Sequence, residues 1–171
     1  MATQNIYRSV GATVAFRATG GGDVVWTPQN EGTGKGRISA VWDRGAGNLP
    51  QRYKWACCCR WVATPAANDR FSLYLITARA AADAAQTDGA LTLGDAELTT
   101  EAELLANCFC FGNVIATAVD KLFVASGLVL LYDRYIGIAG WNGSATKALT
   151  NTATDFICTF TPMPDDIEAA A

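Results

Sequence analysis

The chain contains no histidine. Imidazole is the usual proton carrier near neutral pH and the commonest metal-binding side chain. Its absence excludes Ser–His–Asp and Cys–His catalysis and most catalytic zinc sites. A hydrolase built on carboxylates alone would need two acids about 5–9 Å apart across a cleft. No pair of acids in the sequence is spaced so as to demand that arrangement. Charge is also scarce: 13 basic and 16 acidic residues among 171 leave a net charge of −3, with no electrostatic footprint for nucleic acid. Long apolar runs are missing too. The longest, residues 122–131, is too short to cross a bilayer, and the polar opening MATQNIYRSV lacks the apolar core of a secretory signal. Neither nucleic acid nor a membrane is an expected partner, and the expected compartment of folding is the cytoplasm.

Motifs for cofactors are equally thin. Gly32-Thr33-Gly34-Lys35-Gly36 has a phosphate-loop look, but that loop needs Ser or Thr after the lysine and a helix beyond. Here Gly36 follows, and then a strand. Asp88, Asp95 and Glu97 are too scattered for an EF-hand. The six cysteines, Cys57, Cys58, Cys59, Cys108, Cys110 and Cys158, all lie inside expected strands, and five of them alternate with apolar or aromatic neighbours. They read as reduced, mostly buried small hydrophobes, and neither CCC nor CFC has zinc-knuckle spacing. No catalytic, cofactor or metal-binding residue is expected.

What is present is alternation. From Arg52 to Trp61 the sequence switches parity for ten residues. Tyr53, Trp55, Cys57, Cys59 and Trp61 fall on one side; Arg52, Lys54, Cys58 and Arg60 fall on the other. Side chains of a strand point to opposite faces with period two, so this strand has one aromatic face and one charged face. A face of that kind belongs to an antiparallel sheet wetted on one side. Further strands are expected over residues 10–18, 23–26, 37–43, 70–77, 108–118, 121–133, 134–141 and 153–161. The segments 37–43 and 49–64 should be neighbouring strands, as should 108–118 and 121–133. Breaks are expected at Gly137 and Gly140, and a hairpin turn at Asn142-Gly143. Residues 78–107 read as loop, with Thr100-Glu101-Ala102-Glu103 as a capping box for one helical turn.

Short strands at regular spacing predict an all-β fold, an antiparallel β-sandwich or jelly-roll-like barrel of about eight strands. The expected organisation is an N-terminal arm over 1–9, a β-sandwich domain over 10–164 and a C-terminal tail over 165–171. One echo stands out: Trp42-Asp43-Arg44 and Tyr132-Asp133-Arg134 both put aromatic-Asp-Arg at a strand end. It reads as a pair of strand-end salt bridges or turns, with a shared binding surface as the alternative. Bases cluster over residues 35–60, while residues 83–103 carry six acids and no base. That asymmetry could help copies of the chain pack together. Among the five tryptophans, Trp26 and Trp141 flank turns and are the candidate exposed platforms for a sugar ring.

Several phrases resemble a known group. They are Val25-Trp26-Thr27-Pro28-Gln29-Asn30, the stretch from Gly36 to Gly47 (GRISAVWDRGAG), Arg52-Tyr53-Lys54-Trp55, Phe123-Val124-Ala125-Ser126-Gly127 and Tyr132-Asp133-Arg134-Tyr135. Over residues 25–164 the chain resembles small virion structural proteins, of the capsid decoration or cement kind, from tailed bacteriophages of marine bacteria. The resemblance implies a protein without catalytic residues or cofactors that sits as a homotrimer on the head exterior and binds the major capsid protein. The polar arm and the loop over 28–36 are then the expected capsid contacts, with Gln4, Asn5, Tyr7, Arg8, Gln29, Asn30 and Lys35 as candidates. The rival expectation is a tail or head-fibre component that binds host surface glycan through Trp26 and Trp141.

Overall fold

The structure, a computed structural model, describes residues 11–18, 23–46, 49–78, 94–117 and 122–163. The expected arm with Gln4, Asn5, Tyr7 and Arg8 lies outside the described residues, as do the tail over 165–171 and the junction between the strands expected over 108–118 and 121–133.

Two sheets face each other. In the first, the order is β2 (Val24–Val25), β1 (Val14–Arg17), β11 (Ile157–Pro162), β5 (Arg52–Cys59) and β9 (Phe123–Leu130). In the second it is β7 (Glu97–Leu98), β3 (Lys35–Ile38), β10 (Tyr135–Asn142), β6 (Arg70–Ala78) and β8 (Phe109–Ile115), with β4 (Trp42–Asp43) also paired to β10. Every pairing is antiparallel except β1 with β2. With the two-residue strands set aside, the first long strand pairs with the last, β3 with β10, β5 with β9, and β6 with β8. That nested pairing, rolled over two sheets, is the strand order of a jelly roll. Among the described residues the sheets do not close into a barrel, and each keeps two edges.

The alternation read from the sequence builds the space between the sheets. Tyr53, Trp55, Cys57 and Cys59 of β5 are buried, with Trp61 just beyond, and they face Phe71, Leu73 and Leu75 of β6 and Ile136 and Ile138 of β10. Phe16, Phe160 and Trp42 meet edge to face or tilted at 5.5–6.1 Å, geometry that adds to area burial. No disulfide joins the cysteines of the described residues. Burial pushes the thiols of Cys57 and Cys59 well above the ordinary range, so they remain protonated and pack as small hydrophobes.

A second, smaller core lies on the outer face of the second sheet. There Ile38, Tyr74, Ile76, Ala139 and Trp141 are covered by Leu98 and by Leu104 of the helix α1 (Ala102–Asn107). Strand β6 is therefore buried on both faces over residues 71–76. The capping box is not used as expected: Glu101 occupies the cap position, and its carboxylate instead accepts a 2.6 Å bond from the Tyr74 hydroxyl.

Several expectations are corrected. The strand expected over 37–43 is two strands, because at Ser39 the side-chain Oγ accepts the Ile138 N–H (3.0 Å) in place of a carbonyl and Ala40 turns to the carbonyl of Val25. Its expected neighbour β5 lies in the opposite sheet, as β8 does relative to β9. Alternation reveals that a strand has one buried face, not which strand lies beside it. Strand β10 runs unbroken through Gly137 and Gly140. Gly140 is small because the Phe71 ring and Trp26 Cζ2 occupy the space of a side chain there. Asn142-Gly143 ends β10 without making a hairpin to a following strand.

Candidate interaction surfaces

Asn142 organises one end of the sandwich. Its side chain is fully buried, and its amide nitrogen donates to the carbonyls of Glu31 (3.3 Å), Gly32 (3.0 Å) and Lys147 (2.9 Å). Its oxygen accepts from Trp61 Nε1 (3.0 Å) and from the Ser144 N–H (3.2 Å). Buried polar atoms must be paired, and this one side chain satisfies two loops and an indole together. The loop over 28–36 is thereby fixed. Asn30 N–H donates to the Thr150 carbonyl (3.0 Å) and Gly34 N–H to the Asn142 carbonyl (3.0 Å).

Charge locks the same loop from its other side. Arg37 reaches Glu31 at 3.6 Å and Asp95 at 3.3 Å, Asp95 accepts from the backbone and hydroxyl of Thr27 at 2.8 and 2.6 Å, and Lys35 pairs with Glu97. Burial, and then the nearby Glu97 charge, push the Glu31 carboxyl up to about 7. The Thr27 and Arg37 bonds hold Asp95 below the usual carboxylate range despite its burial. Asp95 thus holds the Thr27 backbone, while Glu31 and Glu97 are engaged by the side chains of Arg37 and Lys35. A polar recess of about 480 Å³ opens beside Asn30, lined also by Arg60, Thr150, Asn151 and Asp155.

The candidate capsid contacts within the described residues thus fall together on a rigid, polar end. Asn30 is exposed, in a left-handed conformation (φ 67°), and Lys35 is exposed within its ion pair. Gln29 is half-buried, and its Oε1 is enclosed without a hydrogen-bond partner. The sugar platforms do not survive. Trp26 is fully buried, with Nε1 on the Arg37 carbonyl (3.1 Å), and Trp141 is a member of the second core. Turn residues after each tryptophan suggested exposure, but loop 28–36 and the segment from 94 to 107 fold back over both.

The surface that the sequence reading missed is the edge where β8 and β9 lie side by side. Seven of the ten large hydrophobic side chains exposed among the described residues gather on or beside these strands: Phe109, Ile115, Leu122, Val124, Leu128, Leu130 and Tyr132, each at least 43% exposed. On β9 the inward-facing Phe123 and Val129 are buried, and the outward parity is apolar at Val124, Leu128 and Leu130, interrupted by Ser126. Trp55 plugs the seam behind it, its indole pressed against Gly112 of β8 and Gly127 of β9. Between the ends of the two strands lies a groove of about 630 Å³ lined by Leu75, Phe109, Leu128, Leu130 and Ile136, with Arg52 and Asp133 at its rim. The available signal was the run over 122–131, apolar on both parities, which a sheet edge cannot bury by itself. Large exposed apolar side chains gathered along one edge of a sandwich mark a candidate interaction site.

Across the outer face of the first sheet, this apolar strip borders charge. Arg52 is in register with Leu130, and Lys54 with Leu128. Both bases are exposed, and neither makes an ion pair among the described residues.

No protein-family model matches this chain, and no curated protein matches it either. Among the described residues there is no cluster of three or more potential metal ligands, and no helix is long and apolar enough to cross a membrane.

Proposed function

We propose that the protein is a bacteriophage capsid decoration protein, a homotrimer that binds the major capsid protein on the head exterior after assembly in the host cytoplasm. The observation that carries this reading is the pairing of two unlike surfaces on one rigid scaffold. One is the polar end fixed by Asn142, carrying Asn30 and Lys35. The other is the apolar β8/β9 edge. A cement protein needs that combination, an end that grips a shell and a side that grips its own copies. The sequence resemblance to phage virion proteins supports the same reading. On it, the protein works by binding and not by catalysis, and needs no cofactor.

The glycan-binding alternative loses its specific support, since Trp26 and Trp141 are both core residues. Co-sedimentation with capsids that lack the protein tests the proposal. Wild type should pellet with the shells, and deletion of residues 2–9 or the pair Asn30→Ala and Lys35→Ala should reduce binding while leaving thermal unfolding cooperative. Failure of the wild type to bind shells, together with recovery on tails or fibres, would overturn it.

A further inference from the structure

Cys57 of β5 and Cys158 of β11 stand directly opposite each other in the first sheet. The end of the ladder shows which kind of opposition this is. One step beyond the Pro162–Tyr53 pair, the Met163 N–H donates to the Arg52 carbonyl (2.9 Å), so that pair is hydrogen-bonded. Antiparallel pairs alternate between bonded and non-bonded, which makes Pro162–Tyr53, Phe160–Trp55 and Cys158–Cys57 all non-bonded. Proline, which has no N–H to give, sits where the ladder asks for none. Non-bonded pairs hold their Cα atoms about 4.5 Å apart, with both side chains on one face and closer than in the bonded kind. That separation lies within the span of a disulfide, about 4.4–6.8 Å. The other cysteines in strands have no such partner: Cys58 faces Ile157 and Val124, Cys59 faces Phe123, and Cys110 faces Tyr74.

The geometry points to a latent disulfide: Cys57 and Cys158 join when the chain meets a low-molecular-weight disulfide of the oxidised-glutathione class. One cysteine, as its thiolate, attacks a sulfur of the oxidant, whose S–S bond breaks and releases one glutathione thiolate. The other cysteine then attacks the protein sulfur of the mixed disulfide and releases the second glutathione. The two protein thiols give up two protons and two electrons, and one oxidant becomes two glutathione thiols. Both sulfurs belong to the core, their residues 1% and 0% exposed. Burial, and then the Cys158 thiol beside it, raise the Cys57 thiol and suppress its reactive form in the folded state. The exchange therefore runs while the chain folds or opens, and the closed sheet then shields the product from reductant. The bond staples the last strand to its neighbour β5 and closes the chain from 57 to 158; closure of a long loop restricts the unfolded chain most. A reducing compartment keeps the pair as thiols, so the staple belongs to oxidising surroundings. The inference stands apart from the decoration reading.

Refolding the full chain from urea in a buffer of oxidised and reduced glutathione tests it, because every thiol is then accessible before the sheet closes. After alkylation and proteolysis, tandem mass spectrometry should find Cys57 joined to Cys158 as the main cross-link. The unfolding midpoint of the oxidised protein should lie about 5 °C or more above that of the reduced protein. Cys158→Ala should abolish both the cross-link and the shift, whereas Cys58→Ala should keep both. If Cys158→Ala does not fold, the cross-link map of the wild type decides alone. Wild type that refolds with Cys57 and Cys158 as thiols, or that joins either of them chiefly to another cysteine, would overturn the inference. So would a Cys57–Cys158 bond that lowers the unfolding midpoint, since the native sheet would then not accommodate it.

Discussion

Arg134 grips Asp43 through two parallel hydrogen bonds, Nε to Oδ1 at 2.7 Å and a terminal nitrogen to Oδ2 at 2.8 Å. The pair joins the two aromatic-Asp-Arg motifs crosswise. In return, Arg44 of the first motif donates its N–H to the Arg134 carbonyl (2.9 Å) and its guanidinium to the Asp133 carbonyl (2.6 Å). The Arg44 side chain also lies 5.1 Å over the Tyr53 ring. The echo in the sequence therefore marks one corner, where β4 meets the start of β10.

That corner should respond to acid. The Arg134 bonds, and then the Gly45 N–H, hold the Asp43 carboxyl down at about 2. A depressed carboxylate contributes stability above its ordinary value, lost as pH falls through its folded value. The gap in melting temperature between wild type and Asp43→Asn should be small, since the pair is exposed to water, and should close between about pH 4 and pH 2. A gap that persists unchanged at the lower end would contradict this assignment.

Glu31 should behave in the opposite sense. Its carboxyl is raised from 4.5 to about 7, chiefly by burial. Between those values the native state holds a proton that the unfolded chain has released, so stability falls as pH rises through the window. Glu31→Gln removes that dependence. Relative to wild type, its stability in urea titrations should improve by about 1–3 kcal/mol between pH 4.5 and pH 8. Parallel pH profiles for the two proteins would show that Arg37 already neutralises the burial.

Replacing Asn142 should cost more than any surface change. Asn142→Ala leaves the carbonyls of Glu31, Gly32 and Lys147 and the Trp61 indole without their partner, in a buried site. A loss of about 3 kcal/mol or more is expected from denaturant unfolding. Hydrogen exchange should show the loop over 28–36 opening first. Protection unchanged in that loop would mean that the Thr150 and Arg37 contacts suffice to fix it.

Gly140→Ala tests why β10 carries a glycine at its centre. A methyl there would meet the fully buried Phe71 ring, with Trp26 Cζ2 at 2.6 Å. Neither side chain has room to yield, so destabilisation of about 1–3 kcal/mol is expected by thermal or urea unfolding. A neutral result would mean that the Trp26–Phe71 stack can shift.

The architecture was legible because period-two patterning writes itself into the chain wherever one face is buried. Tyr53, Trp55, Cys57 and Cys59 announced β5, and Phe156, Cys158 and Phe160 announced the last strand, all of them now in the core. Strand neighbours were not legible. In a jelly roll the partners β1 and β11 stand far apart in sequence, and the connection from β8 to β9 crosses between sheets. Nor could the burial of Trp26 and Trp141 be read, since long-range loops cover both. The apolar edge was present in the sequence as the outward-facing Val124, Leu128 and Leu130. It became meaningful only once β9 proved to be an edge strand, with no neighbour on its outer side among the described residues.

The most direct measurement is a cryo-electron microscopy map of capsids assembled without the protein and then mixed with it. The account predicts ordered trimeric density over the capsomer junctions, with the β8/β9 edges gathered at the three-fold axis and the Asn30 end against the shell. Bare shells, with the protein located instead on tails or fibres of the intact virion, would contradict it.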